Sequence, residues 1–242
     1  MAHVSAVKFS GDVGVVREAL GAARRVTVVG DGLTGVEHAA ELALWAKQRG
    51  ASLEVRLTGR QELPLPHMPT SLRVCAARAL EALGLARSSE LVELPSEVGA
   101  AAGAQELFIW ATGTAPVAGL EGLPRVEGGF VPVDRWLRVR GLERVFAIGD
   151  LARLHDEQGR VVPTTMRAAE AIFQGAWLGP RLRALCAGDS CAPYDAKPDF
   201  PFYGISLGDR AVFAYRRFGR NSRAGAAFRR FLTVAYWARL RL

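Results

Sequence analysis

Apolar positions along the chain alternate between two spacings. Val26–Val29 is a β-branched run between Arg24-Arg25 and Gly30, which predicts a strand. Behind it Val36, Ala39, Ala40, Ala43 and Leu44 share one face at helical spacing and predict a helix over 36–48. Leu53, Val55 and Leu57 alternate with Glu54 and Arg56 as a second strand. Leu72, Cys75, Ala76, Ala79, Leu80 and Leu83 predict a second helix, with Thr70 or Ser71 as its cap and Gly84 as its stop. Leu107–Trp110 reads as a third strand, Val131–Val139 as a hairpin arm and Val145–Ile148 as a buried strand. Thr164–Leu178 reads as a helix that Pro180 would disturb, and Phe228–Leu242 as a terminal helix carrying Phe231, Leu232, Tyr236 and Trp237. Strands and helices in turn, without an internal repeat, argue an α/β chain.

Composition excludes several classes. With 242 residues, 50% hydrophobic and 23% charged, the chain can bury a core, so disorder throughout is excluded. No stretch approaches the ~20 apolar residues of a membrane span, and Met1–Gly21 lacks the apolar core of a signal peptide; the expectation is a cytoplasmic protein. Three cysteines argue against a disulfide framework or a zinc site, and Cys186 and Cys191 flank Ala-Gly-Asp-Ser as loop cysteines; no metal is expected. Charge is uneven: residues 210–242 hold nine arginines and no acid, so they carry +9 while residues 1–209 carry −2. That basic, aromatic end has two standing readings, a membrane-surface helix or a helix packed on the body with solvated arginines. A nucleic-acid patch would rest on charge alone, without a module signature, and no nucleic acid is expected.

Gly30-Asp-Gly32-Leu-Thr-Gly35 lies directly between a strand and a helix. In a GxGxxG turn the first glycine permits the tight bend, the second lets backbone approach a pyrophosphate, and the third lets helix pack on strand, with free N–H groups at the helix start. A ligand-free glycine turn is the alternative; strand, helix and second strand in order favour dinucleotide binding. An NAD site ordinarily ends the second strand in an acid, and here that place reads Leu57-Thr58-Gly59-Arg60. Arg56 or Arg60 meeting a 2′-phosphate would suit NADPH, whereas both as surface arginines leave NADH open. Gly149-Asp150, after Val145–Ile148, puts a carboxylate where a sugar or ribityl hydroxyl can donate to it, although Gly-Asp is also a common turn.

In order along the chain, Gly30, Gly32, Gly35 and Glu37, then Ala111-Thr112-Gly113, then Phe146-Ala-Ile-Gly-Asp150 resemble the FAD-dependent pyridine nucleotide oxidoreductases, flavoproteins with two nucleotide-binding domains. Gly204-Ile-Ser-Leu-Gly208 and the basic terminal helix are similar to the type II NADH dehydrogenase branch. The resemblance implies a lead-in segment over 1–22 and a Rossmann-like NAD(P)-binding domain over 23–113. The C-terminal part of an FAD-binding domain would follow over 114–185, then an α+β tail over 186–242. It implies NADH or NADPH on Gly30, Gly32, Leu33, Thr34 and Gly35, with Glu37 near the nicotinamide as the candidate catalytic side chain. Thr112 and Gly113 would lie at the domain junction, Gly149 and Asp150 at the ribityl and pyrophosphate region of FAD, and Thr164 and Thr165 at a helix start facing the flavin's pyrimidine edge. The implied reaction is hydride transfer from NAD(P)H to flavin and onward to a quinone or other acceptor.

The sequence also departs from that pattern. Nothing corresponds to the strand, glycine turn and helix that hold the ADP part of FAD, so the FAD site is expected to be incomplete: either the start is truncated or misannotated, or a separate chain supplies the missing half, or the remnant no longer keeps FAD, and a homo-oligomer stands as a further partner. The competing expectation is a non-catalytic dinucleotide-binding module or subunit that does not retain FAD. Ala168-Ala-Glu-Ala-Ile-Phe-Gln-Gly175 keeps only Gln174-Gly175 and some alanines of the branch's Ala-Gln-x-Ala-x-Gln-Gln-Gly run. The resemblance further implies peripheral attachment to the inner face of a membrane through Phe228–Leu242.

Overall fold

The computed structural model describes residues 2–5, 10–90, 92, 105–113, 119–164, 167–196, 202–215 and 218–240. The chain divides into two compact units, Met1–Gly113 with Pro201–Leu242, and Thr114–Phe200.

The first unit begins with β1 (Ala2–Ser5) and α1 (Ser10–Ala22), then β2 (Arg25–Val29), α2 (Leu33–Arg49), β3 (Glu54–Thr58), α3 (Thr70–Ala82), β4 (Ala86–Ser88) and β5 (Glu106–Trp110). The strands form one sheet in the order β1-β5-β2-β3-β4. Every neighbouring pair is parallel, with Val26 opposite Val55 on one side and Leu107 on the other. Parallel strands covered on both faces must be apolar throughout, and Val26, Val28, Leu57, Leu107 and Ile109 are buried. The buried stripe of α2 is Gly35, Val36, Ala39, Ala40, Ala43 and Ala46, small side chains that let the helix lie close on the sheet. The 1–22 segment is therefore not a mere lead-in: β1 pairs with β5 and α1 buries Val16 and Ala19 in the same core. Neither Thr70 nor Ser71 caps α3; Pro69 holds the cap position without a side-chain hydrogen bond, and Ser71 Oγ is buried with no partner among the described residues.

The second unit contains β6 (Val131–Val133), β7 (Ala152–Leu154), α4 (Ala168–Leu178) and α5 (Leu182–Ala187). β6 and β7 pair in parallel over a core of Val131, Val133, Leu137, Val139, Leu154, Leu178 and Leu185. Asp134 Oδ1 accepts from the amides of Trp136 at 2.8 Å and Arg138 at 3.0 Å, and the tight turn holds Leu137 at φ 61°. Val145–Ile148 does not form the expected buried strand. It contributes a single antiparallel bridge between Phe146 and Arg138, and Ile148 is 38% exposed. Four apolar residues satisfy the compositional signal of a strand, but among the described residues their backbone pairs only with the short arm at 137–139. Helix α4 starts at Ala168 rather than Thr164, and Thr165 lies outside the described residues.

The chain then returns to the first unit as β8 (Phe202–Leu207), β9 (Arg210–Tyr215), β10 (Phe218–Ser222) and α6 (Arg223–Leu240). The antiparallel β10-β9-β8 sheet buries Ile205, Leu207, Val212 and Ala214 in the core shared with α2 and α3. The expected 186–242 tail is thus split: Tyr194 stays with the second unit, while β8 to α6 belong to the first. The physical reason is a second apolar sheet face, which needs the outer surfaces of α2 and α3 to cover it.

Candidate functional site

Strand order reverses at β2. Its helix α2 leads toward β3, whereas β5 and β1 lie on the other side. A doubly wound sheet opens a crevice at the carboxyl ends of its strands at such a point. Gly30 ends β2 there, at φ 118°, and a Cβ on it would overlap the carbonyl oxygen of Ala111, which follows β5. Ala111 in turn donates its amide to Val29 at 2.7 Å. The glycine turn and the Ala111-Thr112-Gly113 segment, distant in sequence, are therefore in direct contact; Thr112 and Gly113 are exposed.

The remaining glycines divide by what surrounds them. A Cβ on Gly35 would collide with the Gly30 carbonyl, so this glycine sets the approach of α2 to β2. A Cβ on Gly32 would meet nothing within 4 Å. Gly32 is the N-cap of α2, and no side chain caps the helix. The first intrahelical amide bond is Val36 to the Gly32 carbonyl at 3.0 Å, which leaves the N–H groups of Leu33, Thr34 and Gly35 without intrahelical acceptors. Open space beside free N–H groups at the positive end of a helix suits a phosphate.

The other predicted residues are distributed unevenly. Arg56 turns back toward the opposite end of the sheet, where its Nε donates to Glu54 at 2.6 Å, beside the Arg25–Glu54 pair at 2.8 Å. The structure does not bring it to the crevice. Arg60 is exposed on the loop that follows β3, at the crevice end. Glu37 is engaged: its Oε1 accepts from the Ser206 amide at 2.9 Å and from Arg229 at 2.6 Å, which ties α2 to β8 and α6. A carboxylate held this way is an anchor for the C-terminal sheet. Beside it, burial pulls the His38 imidazole below its ordinary range, with Glu37 pulling partly the other way.

Residues without a motif also shape this end. Arg73 donates to the Leu63 carbonyl at 2.9 Å and to Gln61 Oε1 at 2.8 Å, and Arg87 donates to the Glu62 carbonyl. Leu65, at φ 61°, donates its amide to the Asp31 carbonyl at 2.7 Å. The loop after β3 is thereby fastened to the glycine turn by contacts that no local spacing announces.

In the second unit Gly149 takes φ 71° and donates its amide to Gln174 Oε1 at 2.6 Å. Gln174 Nε2 donates to Glu170 Oε1 at 3.3 Å, and the Tyr194 hydroxyl donates to the same oxygen at 2.7 Å. All three side chains are buried. Burial, followed by the bond to Glu170, pushes the Tyr194 phenol above its ordinary range. The chain of bonds fixes the turn that presents Asp150, which is exposed. Gln174 was legible only as part of a degraded run; Glu170 and Tyr194 gave no signal. Among the described residues no group of three or more His, Cys, Asp and Glu could hold a metal ion, and no helix is long and apolar enough to cross a membrane.

The profile of the family described as pyridine nucleotide-disulphide oxidoreductase matches residues 2–175. The chain belongs to this family. An alternative NAD(P)H-ubiquinone oxidoreductase C1 of Arabidopsis thaliana is 31% identical over 181 residues, covering 64% of this chain and 35% of that protein. A demethylphylloquinone reductase of Synechocystis sp. is 30% identical over 156 residues, covering 60% of this chain and 38% of that protein. The chain thus spans between a third and two-fifths of these curated family relatives. Among solved structures, the NDH2 of Plasmodium falciparum in complex with NADH superposes with a TM-score of 0.64 at 13% identity, covering 97% of this chain and 70% of that one. An engineered water-forming NADPH oxidase bound to NADPH gives 0.63 at 21% identity, covering 88% and 47%. At such identities these neighbours speak for the family's fold, a parallel Rossmann-type sheet within a mixed α/β chain.

Proposed function

We propose that the chain binds NADH or NADPH at the Gly30–Gly35 turn and works in an FAD-dependent NAD(P)H oxidoreductase that passes electrons to an acceptor such as a quinone. One observation carries the reading: Gly30, Gly32 and Gly35 stand at the point where the strand order of a parallel sheet reverses, with open space beside Gly32 at the uncapped start of α2, which suits a phosphate. The names of the Arabidopsis and Synechocystis relatives, both quinone-directed, support the acceptor class.

The residues of the second unit fit a flavin's polyhydroxyl chain. Asp150 is an exposed carboxylate on a turn whose glycine is fixed by Gln174, and hydroxyl donors match a carboxylate acceptor. FAD held at Gly149 and Asp150 would supply a two-electron acceptor for the nicotinamide hydride. The protein's own contribution is alignment and electrostatics, since hydride transfer needs no side-chain acid or base.

The proposal includes attachment to a membrane surface through the C-terminal helix, on the cytoplasmic side. From Arg230 to Ala238 every α6 side chain that is described is exposed, including Phe231 at 65% and Val234 at 67%. Apolar side chains beside arginines, on a segment of charge +9, match an anionic lipid surface.

The test is the visible absorption spectrum of the purified chain, alone, with FAD, and then with NADH or NADPH in the absence of oxygen. Bound flavin that bleaches with a nucleotide supports the oxidoreductase. No bound flavin, with nucleotide binding intact, would instead make the chain a non-catalytic dinucleotide-binding module.

A further inference from the structure

We propose that Asp31 supplies the carboxylate that reads the adenosine ribose and gives the site a preference for NADH over NADPH, an inference that rests on the dinucleotide reading of the Gly30–Gly35 turn. In a strand, turn, helix and strand unit of this kind, an acid at the end of the second strand ordinarily takes the ribose hydroxyls. Here the second strand is β3, and the residue after it is Gly59, which has no side chain to offer. Its place is filled from elsewhere. The side chain of Asp31 lies across the Gly59 backbone, so that a Cβ on Gly59 would overlap Cβ, Cγ and Oδ2 of Asp31. A carboxylate from the glycine turn thus stands where the side chain of a second-strand acid would begin.

The backbone around it is fixed. Gly30 donates its amide to the Thr58 carbonyl at 2.8 Å, Gly59 to the Ser88 carbonyl at 3.1 Å, and Leu65 to the Asp31 carbonyl at 2.7 Å. Within this frame Asp31 Oδ2 is sealed from solvent and has no hydrogen-bond partner among the described residues, although the residue as a whole is partly exposed. Oδ2 is closed off by the Gly59 backbone, so the acceptor left for the two donors of a vicinal diol is the rest of the carboxylate, on a residue that is partly exposed. A 2′-phosphate would bring acceptors and negative charge to the same carboxylate, which repels it. Of the guanidiniums on this side, Arg73 and Arg87 already donate to carbonyls of the 60–66 loop and Arg60 is exposed, whereas Arg56 is turned away to Glu54 at the other end of the sheet.

The full chain and its Asp31→Asn and Asp31→Ser variants are titrated separately with NADH and with NADPH, following nicotinamide fluorescence at constant ionic strength, after melting curves show that each variant folds. The parent is expected to bind NADH at least about tenfold more tightly than NADPH, and both variants to lose about tenfold or more for NADH while NADPH binds as tightly as before or more so, since one charged hydrogen-bonding group that repels the 2′-phosphate is removed. A parent that prefers NADPH, or two folded variants with the parental ratio, overturns the inference and leaves the dinucleotide reading standing. Saturable binding of neither nucleotide to the parent overturns both.

Discussion

Gly32 and Gly35 are the same residue type in one motif, and the structure gives them opposite dependences. Gly35 has the Gly30 carbonyl where its Cβ would go, whereas Gly32 has open space and an extended backbone, φ −72° and ψ −176°, that any residue can adopt. Gly32→Val is expected to leave the melting temperature near the parent's and to abolish NADH binding, because the branched side chain fills the phosphate's approach. Gly35→Val is expected to lose ~3 kcal/mol or more of stability through overpacking between α2 and β2. Chemical denaturation and nucleotide titration of the two variants check this, and unchanged affinity in Gly32→Val would sink the cradle. At this scale the motif glycines were legible because each answers a backbone demand that leaves a fixed spacing. Asp31 was not, since the motif leaves its position blank and the carboxylate's role depends on a neighbour 28 residues away. Glu37 was picked out by its place in the motif, yet its partners Ser206 and Arg229 lie 169 and 192 residues on, beyond any local pattern.

Between elements, the second unit depends on a buried relay that links Tyr194, Glu170, Gln174 and the Gly149 turn. Glu170 is 3% exposed, and a buried carboxylate that loses a donor keeps the cost of its desolvation. Tyr194→Phe removes one donor and preserves the ring's edge-on contact with Trp177, at 5.9 Å between centroids. Stability should fall by about 1–2 kcal/mol, with Gln174 still donating to Glu170. A urea unfolding midpoint equal to the parent's would show that the relay is not under load. The same elements show where periodicity stops being informative. Hydrophobic spacing located α2, α3 and the three inner strands β2, β3 and β5 to within a few residues, because each buries one stripe or both faces in a single core, and it missed β4, three residues long. It also turned Val145–Ile148 into a strand, because an apolar run reports burial and not the pairing partner. It gave no element over 1–22, which the resemblance made a lead-in, and the four residues of the edge strand Ala2–Ser5 are too few to show a period.

Over the whole molecule, charge and apolar exposure converge on one helix. The first 209 residues carry −2, and the +9 that follows spans β9, β10 and α6. Part of that charge is spent inside the fold, since Arg223 pairs with Asp209 at 2.9 Å and Arg229 with Glu37 at 2.6 Å. Deleting the helix would therefore disturb the body as well as any surface it touches, and Phe228, whose ring lies 5.7 Å from that of Phe213, belongs partly to the body too. Phe231 and Val234 are different, with about two-thirds of each exposed to water. Replacing both with serine should leave the unfolding free energy within about 0.5 kcal/mol of the parent, as exposed positions do. The same double variant is expected to lose co-sedimentation with vesicles containing anionic lipid. The parent should bind such vesicles less as salt rises, since the arginines are screened over a Debye length of ~8 Å at physiological ionic strength. Binding by the double variant equal to the parent's would remove the apolar half of the membrane reading, and binding indifferent to salt would remove the basic half.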